Sequence, residues 1–396
     1  MKFPGIQTYT IGSRSQLNLQ PLLNSRAMSS IPDRIDEETL SGYNPSNYYP
    51  VKLGEVIRNM YTVKVKLGFG RNSTTWLCTD QNNSFKVLKL STAGDGGLRE
   101  TSVFKHLRSR SAGSKKQGRY CVRRSEDIFT IPANGNSHQC FIFEPLGPSL
   151  LDFASNRISR CFHIEEVRWM AIYFLHAVDF LHSHHVVHTD IKLDNIQLTL
   201  PSNEDEFLTS FVAAETDNPS FVKVTTNGSP IYMSREMSQD ELTFPILCDL
   251  GSAKIGEPPH NDIVQALPYR APEVILGASW DFKIDIWSLG VLIWELVLGE
   301  RLFGQSNDID TVKLMLQYLG PPPKSLLLRC SQQANYFDEH GHWKHSEASQ
   351  VQLEDRVEME TEIPLFFDFL RNMLRWDPNE RPSASELLKH PWLQFE

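Results

Sequence analysis

Hydrophobic and polar residues alternate in three short runs between residues 61 and 91, which read YTVKVKLGFG, TTWLCTD and NSFKVLKLS. Successive side chains of a strand point to opposite faces of the sheet, so this period predicts three antiparallel strands with turns at 68–73 and 81–84. A glycine-rich break at 94–97 precedes LRETSVFKHLRS, which has the spacing of a short helix, and QCFIFEPLG predicts another buried strand. The first part of the chain is therefore expected to form a small, β-rich lobe.

Beyond residue 148 the period lengthens to that of an α-helix. The run EEVRWMAIYFLHAVDFLHSHH places its apolar residues on one broad face, and DIWSLGVLIWELVLG is apolar nearly all round, as in a helix at the centre of a lobe. ASELLKHPWL predicts a last helix, stopped by Pro391. The predicted fold class is α+β with two lobes, a β-rich lobe over 46–145 and a larger helical lobe over 146–396.

Two segments do not fit this pattern of strands and helices. Residues 1–45 are expected to form a disordered or targeting extension, and the first 32 of them carry three basic residues and no acidic one, as mitochondrial transit peptides do. Residues 200–245 mix Pro, Ser, Asn, Asp and Glu around the short run SFVKVTT. We interpret this second segment as an irregular surface insertion.

The composition permits a sizeable hydrophobic core and bears on which molecules the protein can bind. Of 396 residues, 40% are hydrophobic and 22% are charged, and the formal net charge of −9 argues against nucleic acid as the main partner. The six cysteines are scattered without CxxC pairs, so neither a zinc site nor a disulfide framework is indicated. No apolar run approaches the roughly 20 residues of a membrane-spanning helix. We expect a monomer of the cytoplasm or nucleus that does not bind membranes, with mitochondrial targeting as the alternative.

Glycines and a lysine in the first lobe have the spacing of a phosphate-binding site. Gly68 and Gly70 lack side chains, so backbone amides there can approach a phosphate, although a GxG turn is more often an ordinary hairpin. Lys89 lies on the third strand and Glu100 on the following helix. A lysine in an apolar cleft needs a counter-charge to stay protonated, and Glu100 can supply it. Lys86, three residues earlier, is expected to face the opposite side of the strand.

The run HTDIKLDNIQL at 188–198 places several polar groups between apolar ones. Asp190 and Asn195 are spaced as D-x-x-x-x-N, and FPILCDLGSAK brings Asp249 onto a turn after another apolar strand. Phosphoryl transfer from a nucleotide requires one carboxylate that orients a hydroxyl, with an asparagine and an aspartate that hold magnesium. Lys192 can neutralise charge on the transferred group. Each residue alone is an ordinary polar group, but the ordered set predicts a phosphotransferase.

The order of these motifs resembles that of the eukaryotic protein kinases over about residues 50–395, where YRAPEV, DIWSLG and NERPS follow. The resemblance implies a two-lobed kinase that uses ATP and Mg²⁺, in which Glu273 pairs with Arg381 and Asp285 braces the catalytic loop. The residues implied for catalysis are Asp190 and Lys192, and those implied for metal binding are Asn195 and Asp249.

Local strings narrow the resemblance to the SR-protein kinases of the CMGC group, those of fungi in particular. They are YYPVKLGEV, GFGRNSTTWL, CFIFEPLGPSLLDF, HTDIK and YFDEHGHWKH. Residues 200–245 resemble the spacer that divides the lobes of these kinases, and residues 304–362 resemble a CMGC-type insert. The resemblance implies Arg/Ser-rich protein substrates phosphorylated on serine. The acidic runs YFDEHG and QLEDRVEMETE can supply carboxylates for them, although a solvated acidic insertion fits the same sequence.

Thr189 stands where many kinases have an arginine, whose charge is neutralised by a phosphate on the activation segment. A threonine carries no such charge. Between Asp249 and Glu273 the only hydroxyl-bearing residues are Ser252 and Tyr269. Activity without phosphorylation of the activation segment is therefore expected.

The resemblance also implies which residues surround the nucleotide. They are Leu67, Gly68, Gly70, Ser73, Thr75, Val87, Lys89, Glu100, Phe143, Glu144, Leu146 and Gln197. Phe143 has the position of a bulky gatekeeper, and Glu144 and Leu146 offer hinge backbone groups to adenine. Three residues depart from the usual adenine contacts, namely Thr75, Val87 and Gln197, so weaker nucleotide binding is expected. Because of these departures, a pseudokinase scaffold that binds basic partners is the alternative function. A metabolic small-molecule kinase is disfavoured by YRAPEV, which resembles a peptide-positioning segment.

Overall fold

The structure, a computed structural model, describes residues 33–133, 135–157, 160–225, 228–304, 307–345, 349–356 and 363–394. Its first lobe is built on a six-stranded antiparallel sheet with the strand order β1-β2-β3-β4-β6-β5. The strands are β1 (Val56–Ile57), β2 (Tyr61–Gly70), β3 (Ser73–Thr79), β4 (Phe85–Ser91), β5 (Asp127–Ala133) and β6 (Asn136–Phe143). The strands predicted from the alternating runs are confirmed as β2, β3 and β4, and the run QCFIFEPLG begins in β6.

The predicted helix of this lobe is confirmed as α1 (Gly96–Arg110), which buries Val103, Phe104 and Leu107 in the core. Strand β4 separates its two lysines as predicted. Lys86 forms a surface ion pair with Glu126 at 2.8 Å, whereas Lys89 points to the opposite face, toward α1. The alternation of strand side chains therefore decides which lysine reaches the interior.

The second lobe is mainly helical and is organised around a buried helix, α6. Its helices are α2 (Leu150–Ser155), α3 (Ile164–Ser183), α4 (Glu204–Asp217), α5 (Pro272–Ile275), α6 (Lys283–Leu298), α7 (Asp308–Leu319), α8 (Lys324–Leu327), α9 (Ile363–Met373) and α10 (Ala384–Leu387). Its strands pair as short hairpins or bridges and are β7 (Val186–Val187), β8 (Ile196–Leu198), β9 (Val222–Val224), β10 (Pro230–Tyr232), β11 (Pro245–Leu247) and β12 (Lys254–Ile255).

The two long helices predicted for this lobe are confirmed as α3 and α6. The last predicted helix is shorter than expected, because α10 ends at Leu387 and a separate 3-10 turn follows at Pro391–Leu393. Proline has no amide hydrogen to donate and disfavours helical backbone in the residue before it, which explains the break.

The insertion at 200–245 is not irregular throughout, since it contains α4 and the β9–β10 hairpin. Tyr232 at the end of this hairpin packs edge-on against Trp76 of the first lobe, with ring centroids 5.8 Å apart. The Tyr232 hydroxyl also accepts a hydrogen bond of 3.3 Å from the Leu53 amide. The insertion belongs to the second lobe in sequence, and it also contacts the first lobe.

The expectation of disorder over residues 1–45 is wrong for the described part, because the chain is folded from residue 33 onward. A 3-10 turn at Asp36–Thr39 places Asp36 and Glu37 beside the buried Lys66 of β2. The Lys66 ammonium lies 3.1 Å from Asp36, pairs with Glu37 and donates to the Tyr232 carbonyl at 2.8 Å. A buried ammonium needs such partners, and they fix this segment to the sheet. Residues 1–32 lie outside the described part of the chain.

Two buried carboxylates in the second lobe have the partners expected of them. Arg381 forms a bidentate ion pair with Glu273 at 2.6 and 2.7 Å, and both side chains are fully buried. Asp285 accepts hydrogen bonds from the amides of His188 and Thr189 at 2.8 and 2.9 Å, so it braces the catalytic loop as predicted. Among the described helices, none combines the length and apolar character needed to cross a bilayer.

Candidate active site

A cleft of about 690 Å³ lies between the sheet of the first lobe and the loops of the second. Every site residue predicted from the sequence lines this cleft except Glu144, whose side chain is exposed. Only the backbone carbonyl of Glu144 takes part in the site, as the acceptor of a hydrogen bond from Arg123. The fold therefore gathers residues from distant parts of the chain around one opening.

Lys89 lies between two carboxylates contributed by different elements. Its ammonium nitrogen is 2.9 Å from Glu100 Oε1 on α1 and 3.0 Å from Asp249 Oδ1 on the turn after β11. Burial acts to lower the pKa of Lys89, but the two carboxylates outweigh it and the pKa is raised. The same ammonium lowers the pKa of Asp249 to about 2. Lys89 and Asp249 are therefore both charged at neutral pH, at the place where a phosphate chain can enter.

Asp190 is held at the cleft by its neighbours in the catalytic loop. Its Oδ2 accepts a 2.8 Å hydrogen bond from the side-chain amide of Asn195 and lies 3.3 Å from the ammonium of Lys192. Asn195 also donates to the Asp190 carbonyl at 2.8 Å. Asn195 therefore orients the Asp190 carboxylate, and the Lys192 ammonium lies beside it. A carboxylate held in this way can accept a proton from a substrate hydroxyl.

Asn195 and Asp249 have free oxygen atoms suited to a hard cation. The Asn195 amide nitrogen donates to Asp190, which leaves its Oδ1 for a metal. Lys89 and the Gly251 amide both contact Oδ1 of Asp249, which leaves Oδ2 for the same purpose. Oxygen ligands from one or two side chains, completed by water and phosphate oxygens, are the usual magnesium set. The two residues fit the metal site implied by the sequence.

Arg123 is a residue of the site that the sequence reasoning missed. Its guanidinium donates to the side-chain oxygen of Gln197 on the floor of the cleft and, at 3.2 Å, to the carbonyl of Glu144. The guanidinium carbon also lies 4.6 Å from the centre of the Phe143 ring. Arg123 thus supplies a hydrogen-bond partner for Gln197, the polar residue that departs from the usual adenine contacts. The basic pair in CVRRSED, directly after two buried residues, was the available signal.

Neutral groups join the segment from Asp249 to Glu273 to the catalytic loop and to α6, in addition to its ion pairs Lys254–Asp262 at 2.8 Å and Arg270–Asp308 at 3.2 Å. The Thr189 hydroxyl donates to the Ser252 carbonyl at 2.9 Å, and β12 pairs with β7. Gln265 is buried, donates to the carbonyls of Tyr269 and Ile284, and accepts from the amide of Ala271. These contacts join the segment to the catalytic loop and to α6 without a charged group at position 189.

Several carboxylates line the cleft that holds Asp190 and a second cavity. Asp152 and Asp194 line the same cleft, and Glu295 and Glu300 line an adjoining cavity of about 570 Å³. Burial raises the pKa of Glu295, and the nearby Asp194 raises it further. None of the described residues of the predicted acidic runs YFDEHG and QLEDRVEMETE lines the cleft.

Two members of those acidic runs are engaged within the chain. Asp338 accepts from the amides of His340 and His342 at 2.9 and 2.7 Å, and Glu354 pairs with Arg371 at 2.7 Å. Residues 357–362 lie outside the described part of the chain. The carboxylates nearest to the catalytic loop are thus different from those predicted.

Comparisons with known proteins identify the family of the chain. The chain matches the family model of the protein kinase domain over residues 61–393. A serine/threonine protein kinase of Aspergillus fumigatus is 38% identical over 375 residues, which cover 91% of each chain. The serine/threonine-protein kinase SRPK of Physarum polycephalum is 30% identical over 392 residues, which cover 90% of this chain and 91% of that one.

A solved crystal structure of a kinase domain is 26% identical, with a TM-score of 0.70, and the match covers 89% of this chain and 100% of that chain. The chain therefore belongs to the protein kinase family. More particularly, the protein is a serine/threonine kinase with relatives of the CMGC type. The two-lobed fold and the enzyme class expected from the sequence are confirmed.

Proposed function

We propose that this kinase transfers the γ-phosphate of ATP, with Mg²⁺, to serines in Arg/Ser-rich proteins. The observation that carries the proposal is the placement of Lys89, between Glu100 and Asp249, across one cleft from Asp190. In this reaction Lys89 contacts the α- and β-phosphates, and Asp190 orients the serine hydroxyl and accepts its proton. Lys192 lies beside Asp190 and balances the negative charge of the transferred group.

Asn195 and Asp249 would hold magnesium through the oxygen atoms that their hydrogen bonds leave free. The metal neutralises charge on the phosphate oxygens when it is bound. A catalytically silent scaffold is not favoured, because all the charged groups needed for transfer lie together in the cleft.

The choice of an arginine-rich substrate is supported by the carboxylates beside Asp190. Asp152 and Asp194 are exposed at the cleft, whereas the buried Glu295 already accepts from the Tyr269 hydroxyl and lies 3.5 Å from Arg301. A guanidinium forms strong, planar hydrogen bonds with carboxylates, so arginines next to the acceptor serine match this surface. The SRPK of Physarum polycephalum is among the relatives, which is consistent with this substrate class.

The same proposal includes activity without phosphorylation of the segment 249–273. A phosphate is needed in many kinases to offset an arginine in the catalytic loop. Here Thr189 holds the segment through Ser252, and Gln265 holds it from within. At Thr189 and Gln265 these contacts are hydrogen bonds between neutral groups.

A series of acceptor peptides tests the proposal. Phosphate transfer from γ-labelled ATP is measured with an Arg-Ser repeat, a Lys-Ser repeat and an Ala-Ser repeat of equal length. The Lys-Ser peptide keeps the positive charge but lacks the planar guanidinium, so it distinguishes the effect of charge from that of hydrogen-bond geometry. We expect the highest kcat/KM for the Arg-Ser peptide. Equal rates for all three peptides would remove the substrate proposal, and no transfer to any protein or peptide would remove the activity itself.

A further inference from the structure

Arg123 places a permanent positive charge at the back of the cleft, beside the hinge. Its side chain lies against the Phe143 ring, above Gln197 and next to the Glu144 carbonyl. In the proposed function the purine base of the nucleotide occupies this part of the cleft, enclosed by Val87 and Leu146. Arg123 is therefore positioned to meet an edge of the base.

The guanidinium has donors to spare. It carries five N–H groups and no acceptor. One Nη donates to Gln197 and the other to Glu144, and each has a second hydrogen. The Nε atom is buried and has no hydrogen-bond partner among the described residues. A ligand in the cleft cannot reach this buried Nε, but the unused Nη hydrogens belong to a side chain that lines the cleft, so a ligand with acceptors at this position is favoured.

The two purines differ at the edge that such donors would meet. Adenine carries an amino group at position 6, which is a donor, whereas guanine carries a carbonyl oxygen there beside the N7 acceptor. Arginine is the side chain that most often reads this O6 and N7 pair, through two parallel hydrogen bonds. The Glu144 carbonyl, which could accept from the adenine amino group, already accepts from Arg123. The pocket therefore offers donors where guanine has acceptors.

Arg123 is also discouraged from turning away from the cleft. The cavity on its other side, about 360 Å³ in volume, is bordered by Arg123 itself and also lined by Arg108, Arg119, Arg124 and one carboxylate, Glu126. Burial lowers the pKa of Arg124, and the charges of Arg119 and Arg108 lower it further. A fourth guanidinium turned into that cavity would meet this repulsion. This repulsion opposes a further turn of Arg123 away from the cleft, which it also lines.

We propose that Arg123 reads the base of the phosphoryl donor and that the enzyme accepts GTP alongside ATP. The proposal rests on the proposed function, because it takes the cleft to be the nucleotide site. Gln197 is the positioning residue in this proposal, since its side-chain oxygen holds one Nη of Arg123. The chemistry of transfer is unchanged, because only the base differs.

The test compares GTP and ATP as donors, with Mg²⁺ and one acceptor peptide, in the full-length enzyme and its variants. We expect kcat/KM for GTP to lie within tenfold of that for ATP. Arg123→Val should lower the GTP-to-ATP ratio on the order of tenfold or more, the discrimination that one bidentate contact provides. Arg124→Val is the matched control, because Arg124 lies in the neighbouring cavity and does not line the cleft, and its ratio should equal that of the wild type.

A second variant and a second readout guard against a folding defect. Gln197→Leu should lower the same ratio by releasing Arg123, and the rise in melting temperature caused by Mg·GTP and by Mg·ATP reports binding without turnover. A preference for ATP above a hundredfold in the wild type, or equal ratios in Arg123→Val and Arg124→Val, would overturn the proposal while the kinase activity stands. Loss of transfer from both nucleotides in the wild type would instead remove the proposed function.

Discussion

The hydroxyl of Thr189 donates a hydrogen bond of 2.9 Å to the carbonyl of Ser252, which ties the catalytic loop to the segment after Asp249. No charge at position 189 has to be neutralised by a phosphate. We therefore expect enzyme treated with a phosphatase to keep its full initial rate of phosphate transfer. The rate is compared before and after treatment, with a mass measurement that verifies complete dephosphorylation. Loss of most of the activity would show that a phosphate is required after all.

Asp194 is exposed at the cleft near Glu295, so it is the carboxylate best placed to contact an arginine of the substrate. Asp194→Asn should lower kcat/KM for an Arg-Ser peptide on the order of tenfold, the contribution expected of one hydrogen bond to a charged group. Asp355→Asn is the control, because it removes an exposed carboxylate of the predicted acidic runs that does not line the cleft. If the two substitutions had equal effects, net charge and not a local contact would govern substrate choice.

The ion pair between Arg381 and Glu273 is fully buried, so removal of one partner strands the other charge. We expect Arg381→Ala to lower the free energy of unfolding by about 3–5 kcal/mol. The pair between Arg371 and Glu354 is partly exposed, and Arg371→Ala should cost about 0–1 kcal/mol. Urea denaturation of both variants measures the difference. A cost for Arg381→Ala as small as that for Arg371→Ala would mean that the buried pair does not hold the lobe together.

The Tyr232 side chain is one of the contacts between the insertion and the first lobe, because it packs against Trp76 and accepts from Leu53. Tyr232→Ala should destabilise the protein by on the order of 1–3 kcal/mol, because it removes both the ring contact and the hydrogen bond. Val224→Ala is the matched control on the same hairpin, since Val224 is exposed. Thermal unfolding of the two variants distinguishes them. An unchanged melting temperature in Tyr232→Ala would indicate that the Tyr232 side chain does not stabilise the first lobe.

Sequence reasoning predicted the parts of the molecule whose signals are local. The alternation of side chains along β4 predicted that Lys86 and Lys89 face opposite sides of the strand, as they do. The order of the motifs predicted that Glu100, Asp190 and Asp249 line one cleft, and they do. Each of these residues lies in a short run with a strong period or at a turn between such runs. Their spatial meeting follows once the fold class is known.

The features that escaped prediction depend on contacts between distant segments. From the sequence alone Arg123 has the character of a surface residue, and its role in the site follows only from its contacts with Gln197 and Glu144. The folded state of residues 33–45 depends on Lys66, whose burial cannot be read from a strand of alternating residues. The sequence analysis expected the carboxylates for a basic substrate in the longest acidic runs. The fold instead places two isolated carboxylates, Asp152 and Asp194, at the cleft.

The most direct measurement for the whole account is the rate of phosphate transfer from Mg·ATP to an Arg-Ser peptide by the wild type and by Asp190→Ala. Asp190 is the proposed proton acceptor, held by Asn195 and Lys192. We predict transfer by the wild type and a loss on the order of a hundredfold or more in kcat for a correctly folded Asp190→Ala enzyme. Equal rates for the two proteins, or a wild type that transfers no phosphate, would contradict it.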